Sequence, residues 1–398
     1  MEFNNTLLLI VLSSIVLISH VFNLISKISR IPSVLLLIAF GIALKQASVT
    51  WGINILDTGK YLELLGTIGL ILIVLEGSAD LKLKRENLSI IRSSFSAAAA
   101  ILLLATSAIA LLLHAWLNVD LRSAIVNAIP LGVISSAIAI PTVAGFTSVK
   151  KEFLIYESVF SDILGIMFFN FMITPRVIDL AMGMDFIWQL LIVAAVSLGG
   201  SFVLLQCLYK MKTTTRFFII LAMLMLFYGF GKMFHLPILM LVFTFGILLN
   251  NSTFLFHIKA GRDVSEQAIE RDLEQFKLLV GESAFVIRTF FFVIFGYTMN
   301  MVNVLNWDVV KIGTPIVIIL FLVRFVYLKY VIRSHVFPEI FISPKGLVTI
   351  LLFYSIPSTY TMAVFNEGGV VFFVILVTNL LMLLSGFSHK HLSVNERQ

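Results

Sequence analysis

Between Phe153 and Thr174 the chain carries Tyr156-Glu157-Ser158-Val159-Phe160-Ser161-Asp162 inside an apolar run long enough to cross a bilayer. An ionisable side chain at that depth costs several kcal/mol, of order 3 on insertion scales, so its default reading is functional. On a helix, Ser158 and Asp162 are one turn apart and share a face. Ser161 and Gly165 flank that face, and Glu157 lies on the Ser161 side, away from Asp162. A carboxylate with hydroxyl neighbours and a glycine that admits another backbone is a seat for a proton or a small hard cation. The same residues fit a buried aspartate satisfied by hydrogen bonds from a neighbouring helix, and this stretch alone does not separate the two.

The elements around it come from composition. The 398 residues are 59% hydrophobic and 13% charged, with 36 Phe, which excludes a soluble domain and makes this an all-α polytopic membrane protein. The net charge of +6 does not point to nucleic acid, because the basic residues sit in short loops between apolar runs. The lone cysteine, Cys207, excludes an internal disulfide and reads as a small core residue. No His-Glu-x-x-His or Gly-x-Ser-x-Gly motif occurs, so an enzyme is not expected.

Thirteen apolar segments lie near 6–25, 31–46, 61–79, 93–114, 122–147, 153–174, 186–209, 216–232, 236–250, 281–304, 311–332, 337–358 and 367–387. The first is read as a retained span, because no basic start or small-residue cleavage site marks a signal peptide. With the N-terminus outside, 19 of the 28 Lys and Arg fall in inside loops and 6 outside, while Arg288, Arg324 and Lys345 stay at membrane depth. That bias supports thirteen spans with a cytoplasmic C-terminus and a short tail, 389–398.

The second and ninth segments resemble each other. Pro32 and Gly41 are nine residues apart within one apolar run, and so are Pro237 and Gly246. An offset of seven spans is odd, so the second copy enters from the opposite side, as in inverted-repeat transporters. The expected organisation is a first repeat over 1–174, a linker helix at 186–210 and a second repeat over 216–388. A cytoplasmic amphipathic linker at 260–280 interrupts the second repeat, its apolar stripe Ile269, Leu273, Phe276 and Val280 lying along the membrane surface. The offset pairs the fifth and twelfth segments, both interrupted, with helix breaks placed at Pro141 and at Pro344 and Gly346. A matched pair of broken helices points to a midplane binding site, where freed carbonyls and half-helix ends help to hold a cation. Simple packing kinks are the other reading.

At this point the chain resembles the monovalent cation:proton antiporter superfamily, over nearly its whole length. The resemblance is carried by Ser135-Ser136-Ala137-Ile138-Ala139, by Glu157-Ser158 followed by Asp162, by Arg324, and by Pro344-Lys345-Gly346-Leu347-Val348. It implies crossed broken helices and two inverted repeats of six, with Asp162 binding cation (Na+ or K+) and proton in turn. Ser161 stands where the family has Asn or Asp, and Ile140-Pro141 stands where it has Asp-Pro, so one ligand or balancing charge is missing. Ser135, Ser136, Ser158 and Thr142 remain as oxygen donors. The resemblance implies a structural ion pair between Glu157 and Arg324, and Lys345 as the charge at the crossover. Glu76 and Arg288 are repeat-related funnel candidates that either pair or snorkel to the interface. Also implied are electroneutral exchange, no cofactor, a homodimer in lipid and a bacterial inner-membrane location. A sodium-coupled organic-anion symporter and a channel-like or non-transporting member of the fold are the alternatives.

Overall fold

The computed structural model describes residues 5–395 apart from 30–31, 51–57, 80, 82–87, 144–145, 147, 175–179, 211–215, 234–238, 252–265, 300–305, 333–336 and 338. Each of the thirteen apolar segments is helical, as lipid requires of a chain that must satisfy its own backbone polar groups, and no strand occurs among the described residues. The first four segments are α1 (Asn5–Ser29), α2 (Ser33–Thr50), α3 (Thr58–Ala79) and α4 (Leu88–Leu117). The fifth is split into α5 (Leu121–Gly132) and α6 (Ser136–Thr142), and the sixth is α7 (Ser148–Ile173). Then come α8 (Leu180–Lys210), α9 (Arg216–Met233), α10 (Leu239–Asn250), α11 (Glu266–Thr298) and α12 (Trp307–Tyr327). The twelfth segment contributes only α13 (Leu347–Tyr354) as α-helix, and the last is α14 (Gly369–Asn395). Among the described residues, seven helical stretches are long and apolar enough to cross a membrane, Leu121–Thr142 taken through its break being one, and four shorter apolar helices accompany them. The chain is an integral membrane protein.

Helix ends follow local chemistry. The Asp120 carboxylate accepts from the amides of Arg122 and Ser123 at the start of α5, and Asn306 Oδ1 accepts from the Asp308 amide at the start of α12. The 26 residues of α7 make a rod about 39 Å long at 1.5 Å per residue.

One expectation changes. The amphipathic stretch is not a separate helix on the surface. From Glu266 it runs without a break into the tenth apolar segment as α11, 33 residues long. Phe276 and Val280 are buried because their apolar stripe continues the face that α11 presents to its neighbours. The start of that stretch, with Asp263, lies outside the described residues. So do Ile31, Pro237 and the loop charges Arg30, Lys82, Lys84, Arg85, Arg176, Lys212, Lys259, Arg262, Arg333 and Arg397.

The helices pack in two groups. In one, α11 lies against α2 and α3, and α10 against α3 and α8. In the other, α4 packs on α5, α7 and α12, α6 packs on α7, and α12 packs on α14. The groups meet where α3 touches α6 and α13 and where α10 touches α7. Within the first group, α2 and α11 cross backbone to backbone: a Cβ on Gly41 would overlap the Val293 carbonyl, and one on Gly296 the Ile38 carbonyl. Gly246 similarly brings α10 onto Ser78 of α3.

Polar links at the ends of helices test the span count. The Lys45 ammonium donates to the Met299 carbonyl (2.9 Å), Asn250 Nδ2 to the Leu81 carbonyl (3.0 Å), and Arg122 Nε to the Met172 carbonyl (3.0 Å). Lys150 pairs with Glu339 at 2.5 Å, and the hydroxyls of Ser96 and Tyr327 meet at 2.7 Å. Each link joins ends that thirteen alternating spans put on the same side. An error of one span anywhere between the partners would have separated them by a membrane thickness.

Candidate functional site at the crossover of two broken segments

The fifth segment opens at Val133, Ile134 and Ser135, between α5 and α6. This corrects the position of the first break. Pro141 is the penultimate residue of α6, which stops at Thr142, and the extended residues are six to eight positions earlier. The twelfth segment opens where expected: a 3-10 turn at Glu339–Phe341 gives way to non-helical residues 342–346, and α13 begins at Leu347. The two openings cross. The Ser135 amide donates to the Pro344 carbonyl at 2.9 Å. Gly346 is required by the closeness of the crossing, since a Cβ there would sit 2.7 Å from Ile138 Cδ1 and 2.9 Å from Ser135 Oγ.

α7 runs beside the first opening, and its polar residues grip it. The Ile134 amide donates to Ser161 Oγ at 2.9 Å. The Ser136 amide and hydroxyl both donate to Asp162 Oδ2, at 3.1 and 2.5 Å. Gly165 lets the opening lie this close, because a Cβ at 165 would overlap the Val133 side chain. Asp162 is 0% exposed, and its second oxygen, Oδ1, has no protein donor. Ser135 Oγ is likewise buried and unpartnered.

At the other end of the same three-residue opening, the Lys345 ammonium donates to the carbonyls of Gly132 (3.1 Å) and Val133 (2.8 Å). It thereby caps the last, negative turn of α5. A buried carboxylate and a buried ammonium bracket residues 133–135, one on the amide side and one on the carbonyl side.

Glu157 and Arg324 form the pair that the resemblance implied. Nη1 and Nη2 of Arg324 donate to the two carboxylate oxygens of Glu157 at 2.6 and 2.9 Å, in the bidentate geometry that suits a guanidinium. Arg324 Nε donates to the Glu339 carbonyl at 2.9 Å, which ties α12 to the start of the twelfth segment. Glu76 and Arg288 are paired rather than snorkelling apart, at 2.6 Å between α3 and α11.

Two expected donors stand differently. The Ser158 hydroxyl donates to its own helix at Ile155 (3.0 Å), and Thr142 donates to Ile138 (2.7 Å). Neither has a described hydrogen bond to Asp162, because a hydroxyl inside a continuous helix finds the carbonyl one turn back. The Ile140 side chain packs on Gly77 of α3, and the residue that meets Asp162 is Ser136, at the helix start. Two residues went unread in the sequence. Glu339 carries both the carbonyl bound by Arg324 and the carboxylate bound by Lys150, and Asn379 of α14 donates to the Lys345 carbonyl at 2.8 Å. Asn379 had a usable signal, as an amide within the last apolar run.

The arrangement offers a free carboxylate oxygen and a free hydroxyl in a water-poor interior, able to take a proton or a small cation. No curated protein sequence matches the chain. Two solved structures of the sodium proton antiporter MjNhaP1 from Methanocaldococcus jannaschii do. The structure at pH 8 superposes with a TM-score of 0.69 at 16% identity over 94% of each chain. An electron-microscopy map gives 0.69 at 18% identity, over 97% of this chain and 95% of that one. At such identities the likeness is one of fold. The sequence itself matches the family model for the transmembrane part of sodium/hydrogen exchangers over residues 10–394. A match of that extent, on a helical chain whose two broken segments cross beside a buried aspartate, places the protein in the transmembrane sodium/hydrogen exchanger family.

Proposed function

We propose that the protein is a secondary antiporter, not an enzyme, in which a monovalent cation and a proton compete for Asp162. One observation carries the reading. Asp162 is wholly buried at the crossover, with Oδ2 held by Ser136 and Oδ1 unpartnered beside the openings. A carboxylate so placed is stable when it holds either a proton or a cation and costly when it holds neither. Exchange follows, because the empty charged site crosses slowly. Ser161 does not titrate in the working range, so one carboxylate handles one proton per cation and the cycle is electroneutral. Glu157 and Arg324 neutralise each other and take no part in the count.

The packing suggests what moves. The group α4–α7 with α12–α14 carries the whole site, and it meets the other group across an apolar surface. On α3, Gly66 faces Leu351, Gly69 faces Leu347 and Gly77 faces Ile140, so side chains of both broken segments rest on glycines. A surface without side chains on one partner lets the other slide with little repacking. The remaining helices would form the stationary scaffold of a homodimer in the cell membrane of a bacterium, with the N-terminus outside.

Proteoliposomes loaded with a pH dye test the function, with Na+, K+ or Li+ added separately to native protein and to Asp162→Asn. Collapse of the gradient by one cation with native protein only would support the reading and name the ion. No response from folded native protein across pH 6 to 9 would overturn it and turn attention to organic-anion uptake.

A further inference from the structure

Asn379 sits within α14, fully buried. Its Nδ2 donates to the carbonyl of Lys345 at 2.8 Å and to that of Ile375, one turn back on its own helix, at 2.7 Å. The orientation of the amide is fixed by these partners, since turning it over would set its oxygen against two carbonyl oxygens. Its Oδ1 has no described donor. The amide is therefore held in place by its donors, and the bond it makes outside its own helix goes to Lys345.

That bond completes a set. The Pro344 carbonyl is held by the Ser135 amide, the Lys345 carbonyl by Asn379, and the Gly346 carbonyl by the Ile350 amide. The second opening is thus pinned at three successive carbonyls, and the middle one belongs to the residue with the charge. Asp162 does the matching work at the first opening with opposite polarity: a polar side chain in the middle of the segment after a broken one, accepting from Ser136 at the start of α6. The Lys345 ammonium has two acceptors, Gly132 and Val133, for its three N–H groups. The four-methylene side chain is flexible, and the unpartnered anionic oxygen beside the same opening is Asp162 Oδ1.

We propose that Asn379 is a positioning residue that holds the Lys345 backbone so that the ammonium stays on the Gly132 and Val133 carbonyls and leaves Asp162 free for the cation. This rests on Asp162 being the cation site. Without the tether, the Lys345 peptide turns, its ammonium leans towards Asp162, and a transported cation has to displace it. Asn379 then sets cation affinity without touching the cation.

The experiment is equilibrium binding of 22Na+ and of 86Rb+, as a potassium mimic, to purified protein. It is run on native protein, Asn379→Leu and Asn379→Asp, each with Lys345 present and with Lys345→Met. Leu fills the space without a donor, and Asp keeps the shape but loses the NH2, so at least one same-size variant is available as a folded protein judged by thermal unfolding. The expected result is five- to tenfold weaker binding in both Asn379 variants, a loss that disappears in the Lys345→Met background. Binding unchanged by the Asn379 variants, or weakened equally whether or not Lys345 is present, overturns the inference and leaves Asn379 a packing residue. Asp162→Asn is run beside them: if native protein binds no more cation than this variant, the functional reading fails first, and that comparison tells the outcomes apart.

Discussion

Replacing Arg324 by Met should destabilise the protein strongly, and replacing Glu157 by Leu as well should restore most of the loss. Both side chains are essentially inaccessible, Arg324 at 0% and Glu157 at 1%. Arg324 spends three N–H groups on two carboxylate oxygens and one carbonyl. Removing one member of such a pair leaves an uncompensated buried charge and typically costs about 3–5 kcal/mol. Removing both in favour of apolar residues of similar size is often neutral or stabilising. Against that recovery stands the Glu339 carbonyl, which loses its donor in either case at a cost of about 1–3 kcal/mol. That cost is common to both variants, so the single variant should lose more than the double by roughly 3–5 kcal/mol. The assay is equilibrium unfolding in mixed micelles titrated with SDS, followed by far-UV circular dichroism, with the four proteins of a double-mutant cycle. An Arg324→Met protein as stable as native, or a double variant no better than the worse single one, would refute the reasoning. The double variant should also retain cation-dependent proton flux, because the pair is proposed to hold α7, α12 and the twelfth segment together rather than to carry protons.

Other outcomes follow from single residues. Gly41→Ala and Gly296→Ala should each cost about 1–3 kcal/mol, since the added methyl meets a backbone carbonyl that has no rotamer to escape by, whereas Gly199→Ala, with nothing within 4 Å, should stabilise by about 0.5–1 kcal/mol. The SDS titration reads all three. Lys150→Ala should cost about 1–3 kcal/mol, because its ammonium is 38% exposed but the Glu339 carboxylate it leaves behind is only 6% exposed, and salt should weaken the bridge only in part. In transport, lowering the pH should raise the apparent KM for the cation, approaching tenfold per unit once the proton dominates Asp162, with maximal rate little changed; a KM flat across pH 6 to 9 would contradict competition. Gly165→Val should abolish flux while the protein still inserts, because the side chain occupies the place of Val133 and pushes the first opening off Asp162; normal flux in this variant would show that the opening need not lie against α7.

How much of this could be read from the chain depends on the kind of signal. Bilayer thickness and the cost of unpaired backbone in lipid turn 59% hydrophobic composition into counted helices, so thirteen segments, their sidedness relative to one another and the burial of Asp162 were open to sequence reasoning. The family resemblance, with charge at membrane depth needing a partner, brought Glu157 together with Arg324, and the repeat offset made Glu76 and Arg288 worth pairing. Proline was a weaker guide. It marked the second opening at Pro344, but Pro141 misplaced the first, because Pro141 falls where α6 stops and the segment opens instead where another backbone supplies the hydrogen bonds.

What the chain could not show is which hydroxyl meets which oxygen. Ser136, Ser158 and Thr142 are alike as residue types, yet only Ser136 donates to Asp162, because it stands at the start of a half-helix whose first amides have no carbonyl behind them. Ser158 and Thr142 sit inside continuous turns and bond to their own helices. The polar linker was read as a separate surface helix because its composition changes at 280, but helix formation is indifferent to that change and α11 runs straight through. Glu339 and Asn379 matter through contacts with residues 15 and 34 positions away, and only the crossing of the two openings creates those contacts. The sequence by itself determined that a carboxylate would be buried among apolar helices. The tertiary crossing decided that one of its oxygens would be held and the other left free, since that depends on two broken segments approaching to within a hydrogen bond.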